Sequence, residues 1–187
     1  NYTLTQPAGL TASITAKGLT ISGATATSRA YDGTTDITVS GGSLSGVVGA
    51  DDVTLGGTPA GSVASAVVGN NKSVTVTGYS LGGADAGNYS LSQPSLTANI
   101  TAAALTVTAN DVNKYLGEEL TGGAGSTAFE SSGLVGSETI GTVTITYTDG
   151  AASNATVGVY TNAVVPSNAT GGSFTLSNYS ITYMAGN

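Results

Sequence analysis

Apolar and polar residues alternate in short runs along most of this chain. "ALTVTAND" at Ala104–Asp111 and "GTVTITYTDG" at Gly141–Gly150 are the clearest cases, with every second position apolar. A period of two sends successive side chains to opposite faces of a strand, so each run predicts a half-buried β-strand. Near the start the alternation runs through Leu4, Leu10, Ala12 and Ile14 and resumes at Leu19 and Ile21 after Lys17-Gly18, which predicts two strands joined by a short break. An Asp32-Gly33 turn follows, then a strand with Ile37 and Val39 on one face, a turn at Asp51-Asp52 and a short strand at Val53–Leu55. "SVASAVVGNNKSVTVTGYSL" predicts a strand, an Asn70-Asn71 turn and a second strand carrying Val74, Val76 and Tyr79. In the second half "ATVGVYTNAVV" and "SFTLSNYSITYM" predict further strands. The stretch from Asn113 to Gly136 is the longest irregular one. Its glycines leave room only for a short helix near Ala128–Ser131.

Strands of this size between turns predict an all-β chain of two tandem small β-sandwich-like modules, with β-grasp-like curled sheets as the alternative. Composition agrees. Threonine and valine are β-branched and suit a pleated surface, and 28 glycines supply turns. Only 8% of residues are charged, against about 25% in an ordinary domain. Mean hydropathy is nonetheless positive, which argues against disorder.

Charge and missing residue types narrow the chemistry. Four basic against eleven acidic residues give a net charge of −7, which repels phosphate backbones, so no nucleic-acid partner is expected. No apolar run approaches the ~20 residues of a membrane helix, no signal peptide is recognisable, and membrane insertion is not expected. With no Cys and no His, thiol nucleophiles, histidine bases and zinc sites are unavailable. The expectation is a non-enzymatic monomer with no cofactor and no catalytic or metal-binding residues.

One sentence of sequence is stated three times. "NYTLTQPAGLTASITAKGLTI" opens the chain at Asn1, "NYSLSQPSLTANITAAALTV" begins at Asn88, and "NYSITYMAGN" begins at Asn178. The spacing, about 85 to 90 residues, is that of a small domain in a tandem array.

"LTISGATATSRAYDGTTD" at Leu19–Asp36 and "GNYSLSQPSLTANIT" at Gly87–Thr101 together resemble the YDG domain, a module repeated in large bacterial exoproteins of the filamentous-haemagglutinin type. Tyr31-Asp32-Gly33 carries the name-giving motif. The remainder, with "ALTVTANDVNKYLGEELT", "GLVGSE", "VGVYTNAV" and "NYSITYMAGN", is similar to the neighbouring MBG (mostly beta, glycine-rich) domain. Lys114-Tyr115-Leu116-Gly117-Glu118 departs from that family's Lys-Thr-Tyr-Gly-Asp-like stretch by an inserted Leu and a Glu for Asp. The resemblance implies residues 1–17 as the terminal strand of a preceding repeat, 18–102 as a YDG-like module, and 103–187 as an MBG-like module lacking its final strand. It also implies a stalk or spacer of an extracellular adhesin at the bacterial cell surface, serving adhesion or biofilm formation, whose partners are neighbouring repeats of the same polypeptide. The alternative is that the modules themselves bind polysaccharide or host glycan.

Several residues have a chemical and a plain reading. Tyr31 and Asp32 are types that contact sugars, but Tyr-Asp-Gly is also a turn in which Gly takes positive φ and Asp binds nearby backbone. Asp51-Asp52, and Asp111 and Asn113 with Glu118-Glu119, offer oxygens for calcium without the spacing of a calcium loop. Lys17, Lys72 and Lys114 are candidates for an isopeptide bond to Asn, which needs a buried carboxylate that no apolar strand here supplies. Seven Asn-x-Ser/Thr triplets, at Asn1, Asn71, Asn88, Asn99, Asn154, Asn168 and Asn178, include the three repeated Asn-Tyr pairs. Thr-x-Thr pairs beginning at Thr25, Thr75, Thr106 and Thr144 lie on different strands, as exposed strand faces do.

Overall fold

Fourteen strands and two short 3-10 turns follow one another in the computed structural model, which describes residues 1–9 and 11–187. The first half holds β1 (Lys17–Ala26), β2 (Arg29–Ala30), β3 (Asp36–Ile37), β4 (Val39–Ser45), β5 (Thr54–Ser62), β6 (Gly69–Gly82), β7 (Tyr89–Ser92) and β8 (Leu96–Thr101). The second holds β9 (Ala103–Ala109), β10 (Gly123–Ser126), β11 (Phe129–Ser132), β12 (Ile140–Tyr147), β13 (Val164–Gly172) and β14 (Tyr179–Met184). The fold is all-β, in discrete sheets that form small sandwich-like modules.

The two halves repeat one plan. In the first, β1 is the middle of a three-stranded sheet, antiparallel to β4 and parallel to β7, with Lys17 opposite Tyr89. In the second, β9 is the middle strand, antiparallel to β11 and parallel to β14, with Ala103 opposite Tyr179. Lys17 and Ala103 are matching positions of the repeated sentence, as are Tyr89 and Tyr179, so the register itself is duplicated. A second sheet runs β10-β12-β13 in the second half, and the order β3-β5-β6 answers it in the first.

By packing, the chain divides into two units: residues 1–26, 37–62 and 74–96, and residues 27–36, 63–73 and 97–187. Unit 1 buries Leu19, Ile37, Val39, Val74, Val76, Tyr79 and Tyr89. Its β5–β6 ladder carries a bulge between Gly57 and Ala60, where Gly57, opposite Tyr79, and the neighbouring Gly78 take φ of 90° and 91°. A Cβ on Gly57 would collide with the Gly78 carbonyl oxygen, so only glycine fits there. Unit 2 is built around Leu105 and Val107 of β9, Val143 and Ile145 of β12, Val164 and Ala169 of β13, and Tyr179. Side chains of two sheets thus meet face to face, as in a sandwich.

Where the alternation has a paired neighbour it becomes a strand, and elsewhere it does not. Residues 1–9 and 11–16 form no strand and are exposed, although their copy at 88–101 forms β7 and β8; Leu10 lies outside the described residues. Asn70-Asn71 is no turn: the chain continues through it as β6, Asn71 taking φ of 50° while its N–H donates to the Asn99 Oδ1 at 2.7 Å. Residues 63–68 form the connection instead. Ala128–Ser131 is not helical. Phe129–Ser132 is β11, held in register on Thr106–Ala109. "ATVGVY" is a loop, with Val157 91% and Val159 83% exposed, and β13 starts only at Val164.

Candidate functional site

The Tyr-Asp-Gly motif sits just beyond β2, inside unit 2. Arg29 organises the loop from within. Its Nε donates to the Asp36 carbonyl at 2.9 Å, Nη1 donates to the Ala30 carbonyl and to Asp32 Oδ1, and Nη2 donates to the Thr34 carbonyl at 2.6 Å. Asp32 Oδ1 also accepts the Thr34 N–H and hydroxyl, both at 2.8 Å. Partial burial pulls the Asp32 carboxyl up, but the Thr34 donors and the Arg29 guanidinium outweigh it, so the group sits below its ordinary value. Gly33 completes the turn at φ of 79°, where a Cβ would meet Val135 Cγ1 at 3.2 Å.

Tyr31 turns inward. Its hydroxyl donates to Glu138 Oε1 at 2.6 Å, and its ring meets Tyr179 edge to face, with centroids 5.6 Å apart at 80°. The Tyr179 hydroxyl donates to Glu138 Oε2 at 2.5 Å and accepts the Val135 N–H at 2.9 Å. One carboxylate therefore holds two tyrosines at once. Burial and the bond to Glu138 push the Tyr179 phenol up to about 12; Tyr31 is raised too, first by its bond to Glu138 and then by burial.

Unit 1 carries the same device in a simpler form. The Tyr89 hydroxyl donates to Asp51 Oδ2 at 2.6 Å and accepts the Val48 N–H at 3.1 Å, and the bond to Asp51 raises its phenol. Val48-Gly49-Ala50-Asp51 and Val135-Gly136-Ser137-Glu138 are the same turn, each with an acid N–H to valine carbonyl bond of 3.1 Å and its glycine at φ of 55° or 58°. Tyr89 and Tyr179 thus each lock a Val-Gly-x-acid turn against the start of a parallel strand pair. The sequence reading did not single out Glu138 or Arg29. The shared Val-Gly-x-acid spacing was the available signal.

The other candidates occupy separate places. Asp52 and Asp85 staple one turn, Asp85 Oδ2 accepting the Asp52 N–H and Asp52 Oδ2 the Ala84 N–H. Asp111 Oδ1 accepts the Asn187 N–H, and Glu118 Oε2 accepts that of Tyr115. Among the described residues no group of three or more Asp or Glu comes together that could hold a metal ion. The Lys114 ammonium donates to the carbonyls of Glu118, Ala151 and Ala152, Lys17 is exposed, and Lys72 is half-buried. Asn178 is 2% exposed, its Oδ1 accepting the Val68 N–H at 3.1 Å. Thr75 and Thr77 are exposed, as strand alternation implies.

Unit 2 also carries a cleft of about 360 Å³. Tyr115, Leu116, Val157, Val159 and Tyr160 line it, and it reaches Asn187. No helix among the described residues is long and apolar enough to cross a membrane.

Comparison with known proteins accounts for nearly the whole length in two pieces. Residues 15–98 match the YDG domain and residues 105–187 match the MBG domain (YGX type). No curated protein and no solved structure matches the chain. The chain is a YDG domain followed by an MBG domain, modules of filamentous-haemagglutinin-type adhesins.

Proposed function

We propose that this YDG–MBG pair is a structural spacer, a segment of the stalk of an extracellular bacterial adhesin that projects a binding region from the cell surface for adhesion or biofilm formation. The observation that carries the reading is the junction: β8 ends at Thr101 and β9 begins at Ala103, leaving one residue between a strand of one repeat and the first strand of the next. A junction of that length has no room for a flexible linker. The repeated sentence is then the passage from one module into its neighbour. Its partners are further repeats of the same polypeptide.

The tyrosine chemistry supports the same reading. Tyr31 and Asp32, the residues best suited by type to meet a sugar, spend their polar atoms on Glu138, Thr34 and Arg29. The low charge, 8% of residues, suits a repeated element whose surfaces meet its own neighbours.

Small-angle X-ray scattering of the chain, followed by a glycan array on the same sample, tests the proposal. An elongated, concentration-extrapolated envelope without glycan binding is the expected result. Reproducible glycan binding that Tyr31→Phe or Asp32→Asn abolishes while the fold is retained would move the function into the modules and overturn it.

A further inference from the structure

Unit 2 is not confined to the second half of the chain. Residues 27–36 and 63–73, both inside the YDG match, pack within it together with residues 97–187. Tyr31 lies against the core that β9, β12, β13 and Tyr179 build, and its N–H donates to the Thr101 carbonyl at 2.8 Å. The second segment is tied down at both ends. The Val63 N–H donates to the Thr35 carbonyl at 3.0 Å, with Val63 only 5% exposed, and the Val68 N–H donates to Asn178 Oδ1 at 3.1 Å.

Asn178 shows what these contacts do. It is buried, whereas Asn88, the same residue of the other Asn-Tyr pair, is exposed. The tyrosines that follow the two asparagines sit in the same parallel register and hold the acid of the same turn. That arrangement therefore forms without burying its asparagine. What differs at Asn178-Tyr179 is the company: the Val68 N–H meets the asparagine, while the Tyr31 ring meets Tyr179 and the Tyr31 hydroxyl shares Glu138. A buried amide oxygen needs a donor, and Val68 supplies it.

We propose that the Tyr31-Asp32-Gly33 turn, together with Val68, is the docking surface of the YDG module for the module that follows it. The partner it fits presents a carboxylate at the fourth place of a Val-Gly-x-acid turn beside an Asn-Tyr pair, here Glu138, Asn178 and Tyr179. Residues 27–36 and 63–73 then open and close with the MBG core and not with unit 1. Glu138 is suited to the task because it has two oxygens and spends one on each phenol. The bonds of Arg29 and Asp32 within the loop fix the turn that presents Tyr31, which lowers the ordering cost of docking.

The docking does not depend on the spacer reading, since a glycan-binding pair coupled in this way would exchange its amides identically. The test is native-state hydrogen exchange of the isotopically labelled 187-residue chain, read by NMR at rising, subdenaturing urea. The amides of Tyr31, Val63 and Val68 should merge into one opening transition with those of β9 and β12, distinct from that of β1 and β4. Tyr31→Phe removes only the hydroxyl that Glu138 accepts. It should lower protection at Val68, β9 and β12 by one common factor, at least about fivefold, and leave β1 and β4 unchanged. Merging of Tyr31, Val63 and Val68 with β1 and β4, a loss confined to residues 30–35, or an equal loss throughout the chain would overturn the proposal.

Discussion

Replacing Tyr179 by phenylalanine removes one oxygen from the busiest polar contact in unit 2. The hydroxyl that is lost donates to Glu138 and accepts from the Val135 N–H, and Tyr179 is only 7% exposed. A hydrogen bond to a charged group contributes about 1.5–3 kcal/mol, and an N–H left without a partner costs about 1–3 kcal/mol when buried. Val135 and Glu138 are half-exposed, so water recovers some of both amounts. The expected loss is about 2 kcal/mol, or a melting temperature lower by roughly 5 to 10 °C. Urea denaturation followed by circular dichroism reads it directly, with Tyr2→Phe as the control because Tyr2 is fully exposed. Alkaline pH gives a second reading. The folded phenol titrates at about 12, above the unfolded value near 10, so its contribution is complete below about pH 10 and disappears as pH rises toward 12. Tyr179→Phe should flatten that fall. A variant within about 0.5 kcal/mol of the parent, with an unchanged alkaline limb, would refute the reasoning.

Four further outcomes follow from the same geometry. Tyr31→Phe and Tyr179→Phe share Glu138, so a double-mutant cycle should give a coupling of at least about 0.5 kcal/mol, whereas Tyr31→Phe with Tyr2→Phe should add. Glu138→Gln keeps one acceptor oxygen for two tyrosine hydroxyls and should cost about as much as losing one of them, about 1–2 kcal/mol by urea denaturation. The Asp32 carboxyl titrates below its unfolded value, so its stabilisation is present above about pH 4 and lost as pH falls further; Arg29→Met should weaken that acid dependence in a pH series of melting curves. Gly61→Ala should destabilise unit 1 by about 1–3 kcal/mol, since its Cβ would lie 2.6 Å from Val39 Cγ2 and 2.7 Å from the Ile37 carbonyl oxygen, while Gly18→Ala, with nothing within 4 Å, should leave the melting temperature unchanged.

Much of the strand content was legible because alternation is a local signal. Leu105 and Val107 in one half and Val74 and Val76 in the other are buried where the period places them, while Tyr79, three positions beyond Val76, is buried out of that phase. The failures share a cause. Val157 and Val159 alternate as regularly as any of these, and so do Ala12 and Ile14, but a strand also needs a neighbour to bond with. Periodicity does not say whether that neighbour exists. Ala128–Ser131 went the other way: too short and polar to announce a strand, it becomes β11 because β9 offers Thr106–Ala109 as a template. The site was half legible. Tyr31-Asp32-Gly33 reads as a turn on its own residues, and the Asp32 contacts to Thr34 and Arg29 are as local as that reading requires. Glu138 is 107 positions from Tyr31, and no feature of either residue announces the other.

The parallel pairing of β1 with β7 and of β9 with β14 has a mechanical meaning. In each pair the chain enters the first strand at the end where the second strand begins, and it leaves from the opposite end. Tension applied along the polypeptide therefore pulls the two strands past each other lengthwise. Every rung of the ladder is loaded together, from Tyr179 opposite Ala103 to Met184 opposite Thr108, where an antiparallel hairpin pulled at its open end would unzip rung by rung. The phenol of Tyr179, tied to Glu138 at the point of entry, braces the end where that sliding would start.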